Sequence, residues 1–168
     1  ISKHGKTSLV FVTGTTGLKK RYYKVSKTGR RQAYSGVCAE EFQNIMVSHL
    51  EPEGKAIMQA AQQPDPTFLL DGASPHTAES TKQLLRSRGI ATVVAWPPNS
   101  PDLNPIENLW AWMKNRVYAR QYDNLEGLKA AVLEAWEAVP VSMLAKLMGS
   151  FNKRKRICAE RGGDHTGY

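Results

Sequence analysis

An α/β fold is predicted by three observations. Phe68-Leu69-Leu70 is a short apolar run that ends in Asp71 and is broken at once by Gly72, Ser74 and Pro75, the pattern of a buried strand entering a loop. Thr77 to Arg88 then alternates small, charged and leucine positions and stops at Gly89, with Ser74 as a cap and Pro75 suited to the first turn, so a helix follows the loop. Ile90 to Ala95 is β-branched and uncharged, a second strand. Strand, helix, strand implies a right-handed crossover between parallel neighbours. Asp71 would sit at the carboxyl end of its strand, where open α/β sheets place their ligands.

The remaining elements follow from local chemistry. Leu9 to Val12 is a predicted strand ending at Gly14-Thr-Thr-Gly17, and Arg21 to Ser26 is a second one before Lys27-Thr-Gly29, together an antiparallel pair. Ala39 to Leu50 carries Phe42, Ile45, Met46 and His49 at helical spacing, and Glu53 to Gln63 continues as a separate helix after Pro52. His49 reads as an ordinary helix residue. Asn104 is a strong N-cap and Pro105 is preorganised for the first helical position. Ile106, Leu109, Trp110, Met113 and Val117 form one apolar stripe, which predicts a helix from Pro105 to Tyr118. Leu125, Leu128, Val132 and Trp136 mark another after Asp123 or Asn124, and Pro140 opens one containing Met143, Leu144 and Leu147. Trp96 and Trp110 are expected to wedge the intervening loop against the body. Residues 1–160 are expected to form one domain, with 161–168 a disordered tail.

A length of 168 residues with 41% hydrophobic content suffices for one sizeable core. No run of about eighteen apolar residues occurs and no charged leader precedes an apolar segment. The expectation is a soluble protein with no membrane partner, not secreted, placed in the nucleus of a eukaryote or otherwise in the cytoplasm. Cys38 and Cys158 make neither a zinc pattern nor a disulfide framework.

Charge is unevenly placed. The net charge is +8, yet residues 1–39 hold Lys3, Lys6, Lys19, Lys20, Arg21, Lys24, Lys27, Arg30 and Arg31 and none of the 15 acids. Between Leu18 and Tyr34 these bases interleave with Tyr22, Tyr23 and Tyr34, a composition suited to phosphate contacts and stacking, or to a solvated hairpin with no partner. Lys153-Arg-Lys-Arg156 is a second cluster that reads equally as a nuclear-import tract or a phosphate-binding face.

Two carboxylates are candidates for metal chemistry. Glu107 occupies the third position of the predicted Pro105 helix and projects near its start. Asp71 and Glu107 brought together would repel unless a cation sat between them, and hard oxygen donors suit Mg²⁺ or Mn²⁺. Each also has a plain reading: Asn104 and Glu107 have capping-box spacing, and Asp before Gly is common in turns.

The segments Asp71-Gly-Ala-Ser-Pro-His-Thr77 and Ser100-Pro-Asp-Leu-Asn-Pro-Ile-Glu-Asn-Leu-Trp110 resemble the Tc/mariner superfamily of DNA transposases. The resemblance is sharp over Phe68 to Val117. It implies a ribonuclease H-like fold, a mixed sheet flanked by helices, in which Asp71 matches the second and Glu107 the third residue of a catalytic Asp, Asp, Glu triad. Residues 72 to 106 lie between them, one more than in many members. His76 and Asn104 match supporting positions, and Asp102 matches the motif beside its turn role. Mg²⁺ or Mn²⁺ is the implied cofactor and DNA, as transposon ends and target, the implied partner. A homodimer is implied as well, and no small-molecule substrate.

One departure matters. The family's first Asp lies on the domain's first strand, but Glu40, in a helix-like stretch, is the first acid here, and Asp65 sits in a Pro64-Asp-Pro66 turn. The fold is therefore expected to lack its first strand. The chain begins at Ile1 and carries no paired helix-turn-helix modules. The expectation is a carboxyl-terminal part of a transposase catalytic domain, for metal-dependent DNA cleavage and strand transfer, inactive alone. In that mechanism a hydrolytic nick releases a 3′-hydroxyl that attacks target DNA, with Lys19, Lys20, Arg21, Lys24, Lys27, Arg30 and Arg31 helping to hold the duplex. The alternative is a non-catalytic DNA-binding or assembly module derived from such an enzyme.

Overall fold

The computed structural model describes residues 1–10, 22–25, 31–34, 37–93, 96–97 and 99–168, with 22–25 and 31–34 described by their backbone. Where one domain is expected, these residues divide into two compact units. The first comprises Ile1–Leu9, Pro52–Pro66 and Pro97–Tyr168, the second Val10–Glu51 and Thr67–Trp96.

In the second unit, β1 (Tyr22–Val25) pairs antiparallel with β2 (Arg31–Tyr34), Tyr22 opposite Tyr34 and Val25 opposite Arg31. The first of these lies inside the expected strand at Arg21 to Ser26; part of the expected partner, Leu9 to Val12, lies outside the described residues, and the observed pairing is with β2. Only residues 26–30 separate the two, and Thr28-Gly29 favours a short local hairpin over a distant pairing. Phe11 and Val12 lie outside the described residues.

Next comes α1 (Ala39–Ile45), whose N-cap is Cys38: its Sγ accepts from the Glu41 N–H while Glu41 Oε2 accepts from the Cys38 N–H at 3.0 Å. The expected break at Pro52 is absent. Instead a π-helical segment (Met46–Leu50) runs directly into α2 (Glu51–Ala60), with Pro52 in the first turn of α2. Proline has no N–H and crowds the carbonyl four residues back, and the wider turn just before it accommodates both effects.

The helix expected after the Asp71 loop is two helices, α3 (Ser74–Thr77) and α4 (Glu79–Ser87), interrupted at Ala78, whose ψ is 138°. Thr81, fully buried, bridges the break: its hydroxyl donates to the Pro75 carbonyl at 2.7 Å and accepts from Gln43 Nε2 of α1 at 3.0 Å. Gly89, φ +64°, ends the helix in a conformation that side chains resist. The expected parallel pairing survives as one bridge, Phe68 with Thr92, made by Phe68 N–H to Ala91 O (2.8 Å) and Val93 N–H to Phe68 O (2.9 Å). Among the described residues of this unit the strand pairing therefore amounts to one hairpin and one bridge, and Val94 and Ala95 lie outside the described residues. Phe42, Met46, Leu85 and Ile90 form this unit's core.

The first unit is helical. A 3₁₀ turn at Pro101–Leu103 leads into α5 (Pro105–Tyr118), then α6 (Leu125–Glu137), α7 (Val141–Gly149) and α8 (Phe151–Glu160). The Pro105 helix has the expected bounds, with Asn104 Oδ1 accepting from Ile106 N–H at 3.3 Å. Asn124 caps α6 through Gly127 N–H at 2.8 Å. The stripe residues Leu109, Met113 and Val117 pack with Ala135, Trp136, Val139 and Leu144, while Trp110 stacks on Trp136 at 5.8 Å between ring centroids. Trp136 Nε1 donates to the Thr7 carbonyl, which ties down residues 1–9.

The tail expected to be disordered is placed against this unit. Gly162, φ +66°, turns the chain back after α8, the Thr166 N–H donates to Asp102 Oδ2 at 2.7 Å, and Tyr168 lies over the Arg154 guanidinium at 4.2 Å. Its small, polar composition hides one buried backbone donor and one ring, and these hold it.

Candidate active site

Asp71 follows the Phe68–Leu70 segment in the second unit, and the chain turns at once into α3. Its Oδ1 accepts from the Ala73 N–H at 3.0 Å, an Asx turn that sets the entry to the helix. The same oxygen lies 2.6 Å from His76 Nδ1. The His76 ring in turn packs against Phe42 of α1, centroids 4.2 Å apart and planes tilted by 50°. Buried Phe42 thus supports His76, and His76 orients a carboxylate that is 56% exposed. Asp71 has the turn role expected of it, and the turn and His76 both engage the same oxygen, Oδ1. Thr81, absent from the sequence-based candidates, fixes the Pro75 carbonyl beneath α3 and so steadies the helix that carries His76.

Glu107 stands in the first turn of α5 in the first unit, on its exposed side. The capping-box alternative fails here. Asn104 caps with its own side chain, but its backbone N–H donates to Pro101 O at 3.0 Å, so the position a capping glutamate would fill is taken by the 3₁₀ turn. Asn104 has the cap role expected of it.

Around Glu107 the structure builds a scaffold that the sequence reading missed. Arg154 of α8, 1% exposed, sends Nη1 to the Asp102 carbonyl (2.8 Å), Nη2 to Asn108 Oδ1 (2.7 Å) and Nε to Ser150 Oγ (2.9 Å). Burial lowers its pKa, opposed by the charges of Tyr168 and Asp102. Asp102 is buried as well. Burial pushes its carboxyl upward, but the Thr166 backbone N–H and the charge of His165 outweigh that effect and hold it below its ordinary value. The basic cluster Lys153-Arg-Lys-Arg156 is therefore not uniform: Lys153, Lys155 and Arg156 are exposed and Arg154 is not. A signal was present in the sequence, because Phe151, Arg154, Ile157 and Cys158 share a helical face and Arg154 is its one base.

Of the basic amino-terminal candidates, Lys24 lies on β1 and Arg31 on β2. Lys19, Lys20, Arg21, Lys27 and Arg30 lie outside the described residues.

The donor chemistry of Asp71 and Glu107 fits a hard divalent ion, since both offer exposed carboxylate oxygens. His76, whose Nδ1 faces Asp71, suits an outer-shell role. Among the described residues no three His, Cys, Asp or Glu side chains gather into a metal-holding group. Nor is any helix among them long and apolar enough to cross a membrane.

A family model of the DDE superfamily endonucleases matches residues 16–129, a span that contains both carboxylates. The chain belongs to that family, in its Tc/mariner branch. The Tc3 transposase of Caenorhabditis elegans is 34% identical over 116 residues, covering 68% of this chain and 34% of the relative. This DDE endonuclease chain thus spans about a third of that relative's length. The catalytic domain of Mos1 transposase, solved with raltegravir and Mg, superposes with a TM-score of 0.68 at 22% identity over 79% of this chain and 67% of that one. A Mos1 paired-end complex with the left transposon end gives 0.66 at 17% identity, over 96% and 52%. These likenesses show that the DDE chain shares the fold of the Mos1 catalytic domain.

Proposed function

We propose that this chain is part of the catalytic domain of a DNA transposase, with Asp71 and Glu107 each supplying a carboxylate ligand to Mg²⁺ or Mn²⁺, and that it does not cleave DNA alone because the first catalytic Asp is missing. The observation that carries the reading is Glu107: in a family of endonucleases, its motif carboxylate stands exposed on the first turn of α5 with its capping role taken by other groups. Asp71 supports it, because His76 and the Ala73 N–H both engage Oδ1 and so orient the group while Oδ2 can ligate. The Mos1 domain solved with Mg and the Mos1 complex with a transposon end make a divalent ion and DNA the natural ligands to test. A ribonuclease H-like mixed sheet and assembly as a homodimer on DNA belong to the same proposal.

A bound Mg²⁺ or Mn²⁺ would polarise the scissile phosphate and lower the pKa of the attacking hydroxyl. The chain's own contributions are orientation and charge. His76 fixes the Asp71 carboxylate, α5 presents Glu107, and Lys19, Lys20, Arg21, Lys24, Lys27, Arg30 and Arg31 supply phosphate contacts whose strength falls with salt. One observation favours a second reading, a non-catalytic DNA-binding module: no acid occurs in residues 1–39, where a first catalytic Asp would be sought.

The test is a titration of the chain with Mn²⁺, read by the electron paramagnetic resonance of free ion, beside DNA binding and nicking of a labelled duplex. The expected result is Mn²⁺ binding that Asp71→Asn and Glu107→Gln each weaken, with DNA affinity retained. DNA binding without any Mn²⁺ binding would replace this reading with the non-catalytic module.

A further inference from the structure

Arg154 touches the chain on both sides of Glu107. Its Nη1 holds the Asp102 carbonyl inside the 3₁₀ turn, and its Nη2 holds the side chain of Asn108, the residue immediately after Glu107. The third bond, to Ser150 Oγ, anchors the guanidinium to α8 itself, and Ser150 Oγ donates onward to the Leu147 carbonyl at the end of α7. The tail completes the enclosure, with Thr166 N–H on Asp102 Oδ2 and Tyr168 over the guanidinium. Every contact lies within one compact unit.

This geometry controls one degree of freedom. Asn104 caps the helix end and the buried stripe Leu109, Met113 and Val117 seats the body of α5, while a side chain gripped at Asn108 and a carbonyl gripped at Asp102 fix the rotation of its first turn. At a side-chain radius of about 5–6 Å, a roll of about 10° displaces a carboxylate by about 1 Å. A misplacement of that size is enough to spoil a ligand geometry.

We propose that Arg154 is a positioning residue, which through Asp102 and Asn108 sets the direction in which Glu107 leaves α5. The proposal rests on Glu107 being a metal ligand. Outer-shell partners of this kind typically change metal affinity by about 10- to 100-fold. The fork geometry matters as much as the charge, because a lysine ammonium cannot address separated acceptors in one plane.

The test uses the whole chain in three variants, Asn108→Ala, Arg154→Lys and Glu107→Gln. Asn108→Ala removes one grip and leaves the buried guanidinium its other partners, so it perturbs the fold less than a change at Arg154. Two quantities are read: amide hydrogen exchange across residues 101–110, and Mn²⁺ affinity. The expected result is faster exchange confined to that segment in Asn108→Ala and Arg154→Lys, with Mn²⁺ affinity about tenfold weaker in each. Unchanged exchange at 101–110 overturns the grip. Faster exchange with unchanged Mn²⁺ affinity, while Glu107→Gln weakens binding, overturns the positioning role and leaves Arg154 purely structural. Wild-type Mn²⁺ affinity in Glu107→Gln instead overturns the metal-ligand reading of Glu107, and the positioning role falls with it, while exchange still reports the grip.

Discussion

Replacing Arg154 by Met sets two large effects against each other. The side chain is buried to 1% exposure and donates three hydrogen bonds, each from a charged group and worth about 1.5–3 kcal/mol net. Against this stands the penalty for taking a guanidinium out of water, several kcal/mol, which methionine does not incur. What decides the balance is what the acceptors do afterwards. The Asp102 carbonyl and Asn108 Oδ1 would be left facing a thioether, at about 1–3 kcal/mol each, whereas Ser150 Oγ keeps its bond to Leu147. The net expectation is a loss of about 3–5 kcal/mol, in line with breaking one side of a buried charged network. For a chain of this size that corresponds to a fall in Tm of about 6–20 °C. Tryptophan fluorescence during urea denaturation is a suitable assay, since Trp110, Trp112 and Trp136, three of the four tryptophans, lie in the unit that Arg154 holds. Hydrogen exchange in α4, which belongs to the other unit, serves as the internal reference. A variant within 1 kcal/mol of wild type would refute the reasoning, because the burial penalty would then have offset all three bonds.

Three further outcomes are expected. Leu109→Ala, at a fully buried position of the α5 stripe, should cost about 2–5 kcal/mol by urea denaturation, with the larger value if the cavity between α5 and its neighbours stays open. Thr81→Val keeps the shape but strands the Pro75 carbonyl, a loss of about 1–3 kcal/mol; faster amide exchange across residues 74–81 would check it, and wild-type exchange would show that the hydroxyl is dispensable. Asp102 gives a pH dependence with a definite sign. Its folded pKa lies below the ordinary carboxylate value of 3.8, so its contribution is complete above that value and is lost as pH falls through the lower folded one. Stability measured from neutral pH into acid should therefore drop less steeply in Asp102→Asn than in wild type below about pH 4, and parallel curves would remove the Thr166 contact as its source.

The helix bounds of α5 were legible because cap, proline and stripe are local: Asn104, Pro105 and the residues from Ile106 to Val117 interact within one or two turns. The carboxylate positions were legible for a different reason, the two motif segments that resemble a known family. Elsewhere local signals misled. Pro52 reads as a break, but the π segment before it absorbs the missing donor. Arg154 reads as one of four bases in a row, and only its place on the Phe151, Ile157 and Cys158 face separates it from its exposed neighbours.

What this amino-acid sequence determined by itself is the bounds of the Pro105 helix, which residues bear hydrophobic stripes, and which two carboxylates are candidates for the chemistry. Each depends on residues a few positions apart, or on a motif read as a string. Tertiary structure alone decided that the capping box does not form at Glu107, that Asp71 is oriented by a His76 backed by Phe42, and that a buried arginine grips Asp102 and Asn108 from a helix near the end of the chain. Those facts turn on where separate segments pack. A guanidinium is exposed or buried according to the acceptors that distant chain brings to it, and no local pattern encodes that meeting.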